Sequence, residues 1–223
     1  MAEDRAQKIL ETLRTEFAMP KWITSARDPF KTLIVTIISQ NTADRNTARA
    51  FENLSKKFEI TPEALANATT DQIEECLKTA GLYRNKSKTI KQLSRIILEK
   101  HHGDIKQVLA FPFEEARKTL MQLPGIGPKT ADVLLLFTAG RPTIPIDTHV
   151  NRVSKRLGLT PTNGDYETVR KALQSLYDSK DYLAVHVLLI QHGRKYCKAR
   201  TPICKLCPVN ALCSSRNLGI NDD

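Results

Sequence analysis

A chain of 223 residues with 34 lysines and arginines against 24 aspartates and glutamates carries a formal charge of +10, an imbalance that draws polyanions, of which nucleic acid is the commonest in a cell. Its 41% hydrophobic content is that of a soluble globular protein with one large or two small domains. The longest apolar runs, such as residues 133–137, are far too short to span a bilayer, and the opening MAEDRAQKIL has no apolar signal stretch, so a membrane or secreted protein is not expected.

The dominant period along the chain is helical. Ile9, Leu10, Leu13 and Phe17 mark a first amphipathic helix. Asp28-Pro29 supplies a cap and a first-turn proline for a second, which carries Phe30, Leu33, Ile34, Ile37 and Ile38. Ala48, Phe51 and Leu54 are expected on one face of the next. Thr61-Pro62 and Thr70-Asp71 open two more, and Gly81 is read as the residue that closes the segment containing Ile73, Leu77 and Ala80. Ile90, Leu93, Ile96 and Ile97 give a longer helix ending before Gly103. No alternating strand pattern appears, and the chain is read as all-α.

Residues 123–132, LPGIGPKTAD, predict a tight hairpin between two helices, with two glycines two apart and a proline suited to a helix's first turn. Backbone amides at such a helix start form an anion site that can hold a DNA phosphate without reading a base. Lys129 follows at once, and Asp147 stands eighteen residues later. A neutral lysine amine can attack an electrophilic sugar carbon and form a Schiff base, and a carboxylate can stabilise the oxocarbenium-like state of glycosidic cleavage. The plainer alternatives are a phosphate-gripping lysine and an aspartate that caps the helix starting at Thr148. Further helices are expected around 148–157, 165–177 and 181–196.

Near the C-terminus Cys197, Cys204, Cys207 and Cys213 are spaced six, two and five residues apart, in a chain whose other cysteine is Cys76. Disulfides suit small secreted scaffolds and are disfavoured here. Only Cys204 and Cys207 have zinc-knuckle spacing, while an iron-sulfur cluster takes uneven spacing and often has proline after a ligand, as in Cys207-Pro208. Spacing alone leaves zinc and cluster level.

Taken together, LPGIGPKTADVLL, IDTHVNRVSKRLGL, the cysteine spacing, IISQNTADRNTA near residue 40 and GLYRNKSKTI at residue 81 resemble the endonuclease III family of DNA base-excision glycosylases, in the helix-hairpin-helix superfamily. The resemblance runs over nearly the whole chain in the same order. It implies a [4Fe-4S] cluster on the four cysteines, Lys129 as nucleophile and Asp147 as the essential carboxylate. It implies further that Gln40 and Leu82 enter the duplex when a damaged base is flipped out, although Leu82 can also be read as a core leucine beside Gly81. Gly125, Ile126 and Gly127 are expected to offer backbone to phosphate, with Ser39, Asp44 and His149 as neighbours of the site and Lys198 and Arg200 as phosphate contacts on the cluster loop.

The implied fold has two helical domains with a DNA cleft between them: a bundle of about six helices over residues 24–140, and a cluster domain of residues 1–23 and 141–223. The implied activity is that of a bifunctional enzyme acting on oxidised pyrimidines such as thymine glycol in double-stranded DNA, then cutting at the abasic site by β-elimination. Its setting would be the reducing cytoplasm of a prokaryote, beside the nucleoid, as a monomer. Related cluster-containing enzymes that remove adenine or thymine from mismatches have serine or tyrosine at the lysine position and cut no strand, so Lys129 favours the bifunctional reading over a glycosylase specific for thymine or uracil opposite guanine. The other competitor is a non-catalytic helix-hairpin-helix module with zinc. One departure is Pro128, where bacterial members commonly have arginine; it removes an amide and a charge beside Lys129.

Overall fold

The computed structural model describes residues 2–20 and 28–216, and among these every regular element is helical. The chain divides into two compact units, Ala26–Arg141 and the combination of Met1–Ser25 with Pro142–Asp223. The domain boundary expected at residue 24 lies outside the described residues.

The composite unit opens with α1 (Ala2–Glu16). The continuous unit then runs through α2 (Pro29–Ser39), α3 (Asp44–Lys57), α4 (Pro62–Asn67), α5 (Thr70–Leu77), α6 (Tyr83–Lys100), α7 (Lys106–Ala110), α8 (Phe113–Met121) and α9 (Pro128–Ala139). Eight helices therefore stand where about six were expected. The surplus includes α4 and α7, each under two turns and too short to show a period.

Caps fix the starts as the sequence suggests. The Asp28 carboxylate accepts the Lys31 amide at 2.7 Å ahead of Pro29, and Thr61 accepts the Ala64 amide at 3.2 Å ahead of Pro62. For α5 the cap is Thr69 rather than Thr70, because Thr69 and Gln72 close a reciprocal capping box. In α3 the buried stripe is Thr47, Ala50 and Leu54, with Phe51 at its edge, and Ala48 faces solvent. The face is turned by about one residue from the expected one, and a methyl group loses little by exposure.

Between α8 and α9 lies a buried ion pair. Arg117 Nε donates to Asp132 Oδ1 at 2.8 Å and Nη2 to Oδ2 at 3.3 Å, with Asp132 wholly inaccessible. The two-point grip fixes the rotation of one hairpin helix against the other, which a purely apolar contact leaves softer.

In the composite unit, α10 (Thr148–Arg156), α11 (Tyr166–Leu176) and α12 (Tyr182–Lys195) join α1, followed by short 3-10 turns at Cys204–Leu206 and Asn210–Leu212. Ile9, Leu10 and Leu13 of α1 bury in one core with Val150, Val153, Leu173 and Leu188. Helix α12 is buried around most of its girth and meets α10 closely at Gly193. A Cβ there would stand 3.0 Å from His149 Nδ1 and 3.1 Å from Val153 Cγ2.

Replacing Arg117 by methionine takes the guanidinium away from a buried carboxylate and is expected to cost about 3–5 kcal/mol. Urea or thermal unfolding should show that loss, and the double variant Arg117→Met/Asp132→Leu should recover most of it.

Candidate active site and metal centre

The hairpin between α8 and α9 is shaped by two glycines with different tasks. Gly125 has φ +77°, and a Cβ there would sit 2.5 Å from Thr89 Cγ2 on α6, so both conformation and space demand glycine. Gly127 has ordinary extended backbone and nothing within 4 Å of where a Cβ would point. Between them Ile126 turns its side chain into the core and donates its N–H to the Leu123 carbonyl at 3.2 Å. That bond closes the turn with the Ile126 amide, one of the three backbone groups expected at a phosphate.

Helix α9 begins with Pro128 in its first turn and has no side-chain cap. The first-turn amides of a helix lack intrahelical acceptors, and this end carries the positive pole of the helix dipole. Half-buried Lys129 stands in that turn.

Gln40, the residue that ends α2, reaches this hairpin: its Nε2 donates to the Gly125 carbonyl at 3.0 Å. Ser39 does not reach out in the same way, because its hydroxyl donates back to the Thr36 carbonyl at 2.8 Å. Asp44 lies exposed in the first turn of α3. Leu82 is 60% exposed and left-handed, at φ 56°, where it precedes α6. Its reading as a core leucine is thus overturned. So is the reading of Gly81 as the left-handed closing residue, since the positive φ falls on Leu82 itself.

In the composite unit Asp147 caps α10, with Oδ1 accepting the Val150 amide at 2.7 Å. His149, two residues on, is half-buried with Nδ1 at 3.2 Å from Arg152 Nη2. Burial pulls its pKa below the ordinary histidine value, and Arg152 and Arg194 act in the same direction against an opposing pull from Asp147.

The four cysteines Cys197, Cys204, Cys207 and Cys213 line one cavity beside Leu157 and Ile203. All four thiols are half-buried and line this same space. Burial pushes the Cys207 thiol up to about 11, which means that the thiolate form needs positive charge brought into the cavity. His192 Nε2 lies 3.7 Å from Cys207 Sγ. The donor set and its enclosure fit a polynuclear cluster. Cys76, by contrast, belongs to the other unit's core.

The residues matching the HhH-GPD model, described as superfamily base excision DNA repair proteins, are 34–179. The endonuclease III of Sulfolobus acidocaldarius is 34% identical over 218 residues, covering 94% of this chain and 96% of that protein. That of Thermotoga maritima is 36% identical over 180 residues, 81% of this chain and 80% of its own length. A solved structure of a trapped endonuclease III–DNA covalent intermediate superposes with a TM-score of 0.85 at 31% identity, covering 96% of this chain and 97% of that one. This chain belongs to the endonuclease III family. It is a base-excision-repair enzyme, a DNA glycosylase and abasic-site lyase, and DNA is its substrate. The endonuclease III fold is likewise all-helical, and among the described residues no helix is long and apolar enough to cross a membrane.

Within this endonuclease III relative, three arginines that sequence reasoning passed over hold the cysteine loop. Arg156 donates to the carbonyls of Lys198 at 2.7 Å and Ala199 at 2.8 Å, Arg152 to those of Cys197 at 3.0 Å and Gly193 at 3.1 Å, and Arg5 to those of Leu157 at 2.7 Å and Leu212 at 2.8 Å. Arg152 and Arg156 are four apart on α10, so their shared face was legible as spacing, but their carbonyl partners were not. With its backbone held in this way, the loop exposes Lys198 and Arg200.

The two hairpin glycines should separate stability from binding. Gly125→Ala is expected to lower unfolding free energy by about 2 kcal/mol or more. Gly127→Ala should keep its melting temperature and weaken duplex binding in a fluorescence-anisotropy titration.

Proposed function

We propose that this enzyme removes oxidised pyrimidines such as thymine glycol from duplex DNA through a Schiff base on Lys129 and then cuts the strand. The observation that carries this reading is the placement of Lys129 in the uncapped first turn of α9, directly after the Gly125–Gly127 turn. Backbone amides there hold a phosphate of the damaged strand, and the lysine amine attacks C1′ of the flipped nucleotide. The bond from C1′ to the base breaks, its electron pair leaving with the base, which takes up a proton. Ring opening gives the Schiff base. Loss of a proton from C2′ then expels the 3′ phosphate, so the strand is cut by elimination rather than hydrolysis.

Asp147 is assigned the sugar's developing positive charge. Its Oδ1 is anchored by the Val150 amide, so the second oxygen is directed by the helix start rather than by a mobile side chain. Gln40 and exposed Leu82 fill the space left by the flipped nucleotide, at the stacking cost such flipping carries. Support for the covalent route also comes from the superposition on the trapped endonuclease III intermediate.

Cys197, Cys204, Cys207 and Cys213 are assigned to a [4Fe-4S] cluster, which the family generally binds. When bound it supplies the positive charge that keeps four half-buried sulfurs as thiolates, and it staples the loop that bears Lys198 and Arg200. This reading places the enzyme at the chromosome in a reducing cytoplasm, where such thiolates persist. It is expected to work as a monomer.

Borohydride reduction should join the protein covalently to a duplex containing thymine glycol or an abasic site, and Lys129→Ala should give no adduct. Base release without strand cutting would point instead to a monofunctional mismatch glycosylase, and no release from any lesion to a binding module. Asp147→Asn should lower single-turnover base excision by a factor on the order of a hundred. Metal analysis should find about four irons per chain with absorbance near 400 nm, and Cys207→Ser should lose both.

A further inference from the structure

The two residues assigned to the duplex wedge lie forty-two positions apart in sequence, yet one hydroxyl touches the backbone of both segments. Thr42 Oγ1 donates to the Gln40 carbonyl at 3.2 Å and accepts the Gly81 amide, immediately before Leu82, at 3.1 Å. It also accepts from Lys86 Nζ at 2.6 Å, and the same ammonium donates to the Ile38 carbonyl at the end of α2 at 2.8 Å. Lys86 is only 5% exposed, an unusual place for a lysine whose ammonium meets no carboxylate among the described residues.

The backbone around this hydroxyl is held in a costly form. Asn41 and Leu82 are both non-glycine residues with left-handed φ, 52° and 56°. Gly81 packs so tightly on the first loop that a Cβ would lie 2.8 Å from the Asn41 carbonyl oxygen. Such conformations persist where surrounding contacts over-determine them, and they concentrate at sites that need fixed geometry. Here the surrounding contacts are those of Thr42 and Lys86. Burial pulls the Lys86 pKa below the ordinary lysine value, so the ammonium is held at a desolvation cost that a loop serving only to connect helices has no need to bear.

We propose that Thr42 and Lys86 are positioning residues that lock the Gln40 and Leu82 segments into one rigid wedge before DNA arrives. Neither touches the reacting atoms. Their effect is to make the cost of ordering two loops part of folding rather than part of base flipping, which raises the rate of steps that need the duplex to be parted. The inference rests on the wedge reading of Gln40 and Leu82 above, and the test distinguishes the two.

The measurement is single-turnover kinetics on two substrates: a duplex with thymine glycol, where a base must leave the stack, and a single strand with an abasic site, where nothing must be parted. Thr42→Val and Lys86→Met should each slow the duplex reaction roughly ten- to a hundredfold. Both should leave single-strand lyase cutting within about twofold of the parent, which also reports that the protein is folded, and Thr42→Ser, which keeps the hydroxyl, should restore the duplex rate. A 2-aminopurine placed beside the lesion should brighten more slowly on mixing with Thr42→Val than with the parent.

Leu82→Ala is the control for the wedge itself. If it slows the duplex reaction while Thr42→Val and Lys86→Met do not, the positioning role is wrong and the wedge stands. If Leu82→Ala leaves the duplex rate unchanged, the wedge reading fails and this inference falls with it. An equal loss on both substrates in Thr42→Val and Lys86→Met would mark a general folding defect and would also overturn the proposal.

Discussion

The left-handed turn at Gly125 is the constraint on which the reactive part of this protein depends. A chain that leaves α8 must reverse within a few residues to start α9, and the reversal passes against Thr89 of α6 with no room for a side chain. Once that residue is fixed, alternation along the turn follows. Ile126 goes into the core, Gly127 comes out, and α9 begins at Pro128 with Lys129 in its first turn. The buried pair of Arg117 and Asp132 then keeps the two helices from rotating about each other. Lys129 on such a support has its backbone position decided by packing, so what is left to adjust is the side chain's electrostatic setting.

The composite unit solves a different problem. The cysteine loop sends Val209 into the core but leaves Ile203 and Leu206 exposed, and its carbonyls need donors. Arginines from α1 and α10 supply them through their forked guanidiniums, so the charges of Arg5, Arg152 and Arg156 are turned toward the protein's own backbone. Part of the +10 charge that suggested a polyanion partner is therefore structural. Lys198 and Arg200 are exposed, whereas Lys86, Arg117 and Arg170 are buried.

Much of this was legible in the sequence where a local rule governs the outcome. Aspartate before proline at residues 28–29, the threonine cap at residue 61, Pro128 in a first turn and Asp147 ahead of α10 each follow from local hydrogen bonding. Failures came where a distant partner decides. Gly81 looked like a helix stop because glycine commonly takes positive φ; its actual reason is the Asn41 carbonyl, a neighbour forty residues away in sequence. Leu82 carried two readings, entry into the duplex and a place in the core; its exposure removes the second and depends on a turn that no period reveals. The occupied amide of Ile126 was hidden for a similar reason: the motif shows that a turn is present, and only coordinates show which donor closes it.

The bond from Arg5 in α1 to the carbonyl of Leu212 spans nearly the whole chain. During synthesis α1 leaves the ribosome before the other described helices, and Leu212 and Cys213 are among the last of its described partners to appear. The amphipathic first helix must therefore wait, with Ile9, Leu10 and Leu13 uncovered, while the continuous unit, whose partners are all sequence neighbours by comparison, collapses ahead of it. Newborn chains of this protein thus pass through an interval with one unit formed and a greasy N-terminal helix on display.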